Sequence, residues 1–307
     1  MQNQQTIGLR RAAKDYVPIV QQACDKVKGF SELFKELERS ISVSGKSQSA
    51  LVNYSRQLAH LALHYMRTPL DLEPDQVMDY LHLVKSRGTE SASFFKFTIH
   101  GMRYVCKMRG LEYKQFSLPG IKGPKKLPVV LNGSEVKALL KACTMLRHRL
   151  IIGLLYGCGL RSSEVQNLKP YDADLERGML HIRQGKGSKD RCLPLGKMLC
   201  RGLGQYLLEE VPGDYLFENK AGDSLSRAGV SWIVRNAAKK AKVIKDIHPH
   251  TLRHSYATHL LEQGVNIVTI KELLGHAYIQ STMVYLHIAQ PTAGIVLSPM
   301  DTLYGQA

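Results

Sequence analysis

The sequence predicts a mainly α-helical protein with a small β-sheet, built as two domains. Three observations carry this. Apolar residues recur at three- and four-residue spacing over most of the chain, the mark of helix faces. One stretch near residues 179–195 alternates apolar and polar residues, as a strand pair does. Between the two halves lies FSLPGIKGPKKLP (116–128), with three prolines, two glycines and three lysines, which reads as a basic linker.

The expected boundaries follow in chain order. Residues 1–30 are taken as an N-terminal extension and 31–115 as an all-helical domain. In SALVNYSRQLAHLALHYM, residues Leu51, Tyr54, Leu58, Leu61 and Tyr65 trace one helix face, with Ser47 and Ser49 as caps ahead of it. A turn and a short helix from Pro74 stop at Gly88, and a further helix ends near Gly110. After the linker, residues 129–290 form the second domain. It opens on Asn132 with Glu135 three residues on, a capping-box pattern. RHRLIIGLLYG reads as a buried helix, broken by GCG, with another helix from Ser162. Leu180 and Ile182, the turn GKGSK, then Leu193 and Leu195 make a β-hairpin, and everything past Ser226 reads as helical. Residues 291–307 are a tail. No repeat or low-complexity segment interrupts the pattern.

Composition narrows the function. The 307 residues are 44% hydrophobic and 22% charged, which is globular, and the net charge of +16 (pI ≈ 9.6) calls for a polyanionic partner. No apolar run is long enough to span a membrane, and MQNQQTIGLRRAAKD lacks a signal-peptide core, so a cytoplasmic, nucleoid-associated protein with no membrane partner is expected. Lys96, Arg103, Lys107, Arg109 and Lys114 run into the linker lysines Lys122, Lys125 and Lys126, opposed over residues 85–128 only by Glu90 and Glu112. Ser47, Lys96, Arg103, Lys107, Lys122, Lys125 and Lys126 are accordingly the candidate DNA contacts. The six cysteines show no C-x-x-C pair and read as reduced, packing thiols.

Taken singly, the chemically interesting residues all have ordinary readings. Arg161 at a helix start is a solvated arginine, and Lys186 in GKGSKDR sits in a basic surface turn. His250 and Arg253 share a helix face by chance spacing, His276 favours a helix dipole, and Tyr285 is a core tyrosine. HPHTLRH as a metal site lacks a matching carboxylate or cysteine set, and there is no P-loop, dinucleotide fingerprint or G-x-S-x-G elbow. Together, however, the residues suit one reaction: attack of a phenolic oxygen on a phosphodiester. Guanidinium groups match the phosphoryl oxygens and the charge gained in the pentacoordinate transition state. A tyrosine with pKa near 10 needs a base or a cationic pocket, and the leaving sugar oxygen needs a proton from a lysine or histidine. No metal or other cofactor is then required.

The ordered set RSSE, GKGSKDR, HTLR, LLGH and a following tyrosine resembles the tyrosine recombinase/integrase family, strongly over residues 129–290 and in outline over the helical domain. HPHTLRHSYATHLL and IKELLGHAYIQSTMVYLHI follow the family pattern closely. The resemblance implies that Arg161 and Arg253 clamp the scissile phosphate and that Lys186 protonates the leaving 5′-oxygen. It makes His250 the acceptor of the tyrosine proton, lets His276 hydrogen-bond the phosphate, and has Tyr285 form a 3′-phosphotyrosyl link. Glu164 is read as structural, orienting the arginine region, while His248, His254 and His259 are left to solvation, packing or backbone contact. The resemblance further implies a C-shaped clamp on duplex DNA and a homo-tetramer passing through a Holliday junction. The tail, with Ile295, Val296, Leu297, Met300 and Leu303, would dock on a neighbouring protomer or fold back in cis.

The subtype stays open between integron-integrase-like, Xer-like and transposon-associated recombinases. The tail wording favours a mobile element, and a Xer-type dimer resolvase is the alternative. Rival functions are a catalytically idle DNA-binding regulator on the same fold and a type IB topoisomerase.

Overall fold

A computed structural model of the chain describes residues 18–88, 90–111, 127–183 and 190–289. They fall into two compact units that divide at residues 125/126.

The first unit is a five-helix bundle: α1 (Ile19–Lys26), α2 (Phe30–Val43), α3 (Gln48–Tyr65), α4 (Pro74–Ser86) and α5 (Ala92–Met108). Its core is drawn from one face of each, including Ala23, Phe30, Leu37, Leu58, Val77 and Met102. The expected face of α3 is confirmed: Leu51, Leu58 and Leu61 are buried and Tyr54 and Tyr65 partly so. One boundary needs correction. Residues 19–30 are not an extension, because Ala23 and Val27 are buried in the same core as Phe30. A second correction concerns the caps. Ser47 occupies the N-cap position of α3 with extended backbone, yet its hydroxyl makes no capping bond and lies 3.0 Å from that of Ser49. Helix α4 starts better than expected, since Glu73 and Gln76 form a capping box around Pro74.

The second unit places α6 (Gly133–Ala142), α7 (Leu146–Gly157), α8 (Ser162–Asn167), α9 (Lys197–Glu210) and α10 (Arg227–Lys240) around a small sheet. The strands β1 (Ala173–Asp174), β2 (Met179–Ile182) and β3 (Arg191–Pro194) run antiparallel in the order β1-β2-β3. The hairpin register pairs Leu180 with Leu193 and Ile182 with Arg191, and β1 is an added strand that the two-residue apolar signal could not show. The chain closes with α11 (Pro249–Glu262), α12 (Ile267–Leu274), α13 (Gln280–Met283) and a 3₁₀ turn, Val284–His287. Asn132 and Glu135 form the expected capping box, at 2.8 Å in both directions. Helix α7 is the centre of the unit. Ile151, Ile152, Leu154 and Leu155 are fully buried, which is why the helix past its Arg147-His148-Arg149 first turn is apolar all round rather than striped.

Lys186 lies outside the described residues, as do Lys122, Lys125 and Lys126, most of the 116–128 linker, residues 1–17 and the 291–307 tail. All six cysteines are free thiols. No helix among the described residues is long and apolar enough to cross a membrane.

Candidate active site

The site is built around one buried carboxylate. Glu164 sits in the first turn of α8, where an acidic side chain suits the helix N-terminus, and its Oε2 accepts the Arg161 backbone N–H at 2.8 Å. Its Oε1 accepts from Arg161 Nη1 at 2.6 Å, and both carboxylate oxygens accept from Arg191, each at 2.9 Å. A third arginine of the site, Arg253, approaches within 3.9 Å. Burial by itself would raise the Glu164 carboxyl; the hydrogen bond and charge of Arg191, then the Arg161 backbone bond and charge, outweigh it and hold the pKa at about 2.

Backbone carbonyls fix all three arginines. Arg253 on α11 is 3% exposed and donates to Gly159 O at 2.6 Å and Leu274 O at 2.5 Å. Arg161 donates to Gly275 O at 2.9 Å, and Arg191 donates its Nε to Leu273 O at 2.9 Å. The carbonyls at the end of α12 are the orphan acceptors of a helix C-terminus, so the arginines satisfy groups that would otherwise lack partners. Gly159 and Gly275 both adopt left-handed backbone, with φ of +61°. A side chain at Gly159 would meet the Tyr256 ring at 2.4 Å, and one at Gly275 would meet Arg191 at 3.1 Å. The glycines of GCG and LLGH are therefore required where the arginines reach in. Burial, and next Arg161, lower the pKa of Arg253 to about 9, so it still carries its charge at neutral pH.

Tyr285 projects from the last 3₁₀ turn and is 1% exposed. It packs in a small cluster with Tyr256, Ala257, Ile270 and Leu274. Burial raises its pKa, and the charges of Arg253 and Arg161 pull in the other direction. His276 follows Gly275 and shares a hydrogen bond of 2.9 Å between its Nδ1 and Thr282 Oγ1. Burial, Arg253 and Arg161 push its pKa down to about 4, so the ring is neutral. His250, although its side chain reaches solvent, is lowered too, first by partial desolvation of the ring and then by Arg253.

The expected residues Arg161, His250, Arg253, His276 and Tyr285 thus gather in one unit and sense each other's charge. The structure adds two contacts. The tyrosine hydroxyl is hydrogen-bonded not to His250 but to His254, whose Nδ1 lies 3.0 Å away. Nothing in the sequence ties His254 to a residue 31 positions on, so solvation, packing or backbone contact is all that it predicts there. Arg191 stands in GKGSKDR with no local sign of a partner. Its partner Glu164 is 27 residues distant, and only the pairing of β3 beside α8 reveals the ion pair. Among the described residues, no three His, Cys, Asp or Glu side chains gather as a metal-binding group.

In the helical unit, Lys96 and Lys107 are exposed and Arg103 is partly buried. Their spacing places all three on one face of α5. Ser47 is exposed at the start of α3, and its neighbour Lys46 lies over the ring of Tyr104 on α5, 5.6 Å from the centroid. The structure gives no geometry for the three linker lysines.

Residues 129–291 match the phage integrase family. The chain belongs to that family of tyrosine recombinases. The integrase is 35% identical over 264 residues to "Tyrosine recombinase XerA" of Thermococcus kodakarensis, covering 84% of this chain and 91% of the relative. The crystal structure of XerA recombinase superposes with a TM-score of 0.51 at 26% identity, over 90% of this chain and 99% of that one. The Tn1549 transposon integrase in complex with a circular-intermediate DNA shares the fold, with a TM-score of 0.67 at 15% identity over 82% and 94% of the two chains. A mainly helical, two-domain architecture with a small antiparallel sheet is thus common to the integrase and its structural neighbours.

Proposed function

We propose that this integrase cuts and rejoins duplex DNA at specific sites through a 3′-phosphotyrosyl intermediate at Tyr285. The observation that carries the reading is the convergence of Tyr285, Arg161, Arg253 and His276 on one pocket, with both guanidiniums lowering the phenol's cost of ionisation. Arg161 and Arg253 hold the scissile phosphate and stabilise the charge that builds on it; fixed donors do this without reorganising during the reaction. His276 donates to a phosphoryl oxygen, and Lys186, which follows β2 in sequence, protonates the leaving 5′-oxygen. His250 remains in the pocket as a second imidazole near the phosphate. The enzyme draws on no metal or other cofactor, since side chains supply the cations.

Ser47, Lys96, Arg103 and Lys107 with Lys122, Lys125 and Lys126 form the sequence-independent grip on the DNA backbone. The two domains close on the duplex as a C-shaped clamp. Four protomers exchange strands on two synapsed sites through a Holliday junction, with the tail docking in trans. As for biological role, the tail wording favours service to a mobile genetic element. The relationship to XerA, over most of both chains, favours a Xer-type dimer resolvase as the second reading.

The test is covalent capture. Wild-type chain and a Tyr285→Phe variant are incubated with a random-sequence library of nicked duplexes, and protein-linked DNA is recovered. The expected result is linked DNA of shared sequence from wild type and none from Tyr285→Phe, with DNA affinity nearly unchanged between them. No captured DNA from wild type would leave the idle DNA-binding regulator as the better reading. Capture without sequence preference, with relaxation of any supercoiled plasmid, would point to a topoisomerase.

A further inference from the structure

We infer that His254, rather than His250, is the base that takes the proton from the Tyr285 hydroxyl when the phenol attacks DNA. The inference rests on Tyr285 being the nucleophile. Its observation is geometric: Tyr285 is sealed from solvent and its hydroxyl lies 3.0 Å from His254 Nδ1, inside the range for direct proton transfer. The two rings are tilted by 54° to each other, with centroids 5.7 Å apart. His250 stands one helical turn earlier on α11, its ring centroid 6.5 Å from that of His254, and it is exposed. His248 follows at 6.1 Å from His250. His254 is half-buried against the phenol and His250 beyond it is exposed, so His254 is the imidazole at the phenol end.

The tautomer follows from the contact. With its proton on Nε2, neutral His254 offers Nδ1 as an acceptor and the phenol donates. The groups facing His254 are Tyr285 from the terminal turn, His276 from the turn after α12, and His248, His250 and Arg253 from its own helix. Burial first, then His250, His248 and Arg253, bring its pKa down to about 4, so it is unprotonated and able to accept. A bound phosphodiester adds negative charge among these cations and makes the imidazole more basic when substrate is in place. In the step itself the phenolic O–H bond breaks and its proton moves to Nδ1. The new P–O bond to Tyr285 forms as the bond to the 5′-oxygen breaks, and that oxygen takes its proton from a separate acid. Religation runs the same transfers backward, with His254 returning the proton to the phenol.

The experiment uses full-length chain and a nicked duplex recovered by wild-type covalent capture; if wild type captures nothing, the nucleophile reading fails before His254 is reached. A His254→Ala variant is expected to form the covalent complex at least 100-fold more slowly, the scale of a lost general base. The loss should be equal on a duplex with a 5′-bridging sulfur at the scissile position, because sulfur leaves without a proton and relieves only a missing acid. Added imidazole should restore His254→Ala at least tenfold. His254→Gln, which keeps a hydrogen-bonding group but cannot carry the proton, should stay slow while binding DNA as wild type does. Four results would overturn the inference: wild-type cleavage by His254→Ala, rescue of His254→Ala by the bridging sulfur, wild-type cleavage by His254→Gln, or no response to imidazole.

Discussion

Glu164 shows how much one side chain can organise. It is buried and carries a full charge, which is tolerable only because Arg161 and Arg191 donate to both its oxygens. Those bonds leave each guanidinium with further donors directed at carbonyls, or free for a phosphate. Replacing Glu164 with Ala would strand Arg191 and Arg161 together without a counter-charge. The expected cost is about 3–5 kcal/mol, the range for breaking a buried ion pair by removing one partner. Urea unfolding of the variant measures it, and a loss under about 1 kcal/mol would mean that the carboxylate is dispensable for stability. Arg191 belongs to the same unit, holding β3 against the end of α12 through Leu273 O.

At the scale of elements, the site is a meeting of helix ends. Helix α8 presents its N-terminus, α12 its C-terminal carbonyls, and α11 carries His250, Arg253 and His254 on adjoining positions. Pro249 starts α11 because its ring cannot continue a helix backward, so the position of His250 in the first turn is fixed by the residue before it. The turn between α7 and α8 is the tightest constraint. Gly159 must be left-handed so that its carbonyl reaches Arg253, and Tyr256 packs where a side chain would stand. A Gly159→Ala change is expected to destabilise the catalytic unit by about 1–3 kcal/mol, the cost of a strained backbone position, with overpacking against Tyr256 in addition. It should slow covalent capture as well, since Arg253 loses its anchor. Thermal unfolding and capture kinetics read the two effects, and an unchanged melting temperature would contradict the packing.

For the whole molecule, charge decides both binding and stability. If the six cations Lys96, Arg103, Lys107, Lys122, Lys125 and Lys126 each neutralise a phosphate, log Kd should change with log salt with a slope of about 5. Titrations of a fluorescent duplex between low and moderate salt give the slope, and a nearly flat response would contradict the basic grip. Stability should depend on pH in a set direction. His254 and His276 have pKa values of about 4 in the folded chain against 6.5 for the free side chain, and Glu164 about 2 against 4.5. In each case the unfolded chain binds more protons below the higher value, so stability is full above about pH 6.5 and falls with acid. The imidazoles contribute the loss from pH 6.5 to 4, and Glu164 the loss from 4.5 to 2. Melting curves across that range check the sign; a protein more stable at pH 4 than at pH 7 would show that these groups are not buried as described.

The sequence by itself determined the helical character, the division into two units, the strand pair and the family to which the clustered motifs belong. Each of these is written in local terms: a 3.6-residue apolar period, a breaker-rich segment, a two-residue alternation, and short motifs whose residues lie within a few positions of one another. Hydrophobic patterning also placed the faces of α3 and the buried helix α7 correctly. What it missed required partners far apart in the chain. Ile19–Lys26 reads as an extension in sequence because its core position depends on contacts with other helices. Arg191 has no local reason to be other than a surface cation until β3 sets it against Glu164. His254 stands beside Arg253 in sequence, and only the packing of the terminal turn on α11 brings the Tyr285 hydroxyl to it and not to His250. Which residue types the chemistry needs is a property of the side chains and can be read along the chain. Which of two nearby histidines meets the phenol is a difference of a few ångströms, and that distance is set by tertiary packing.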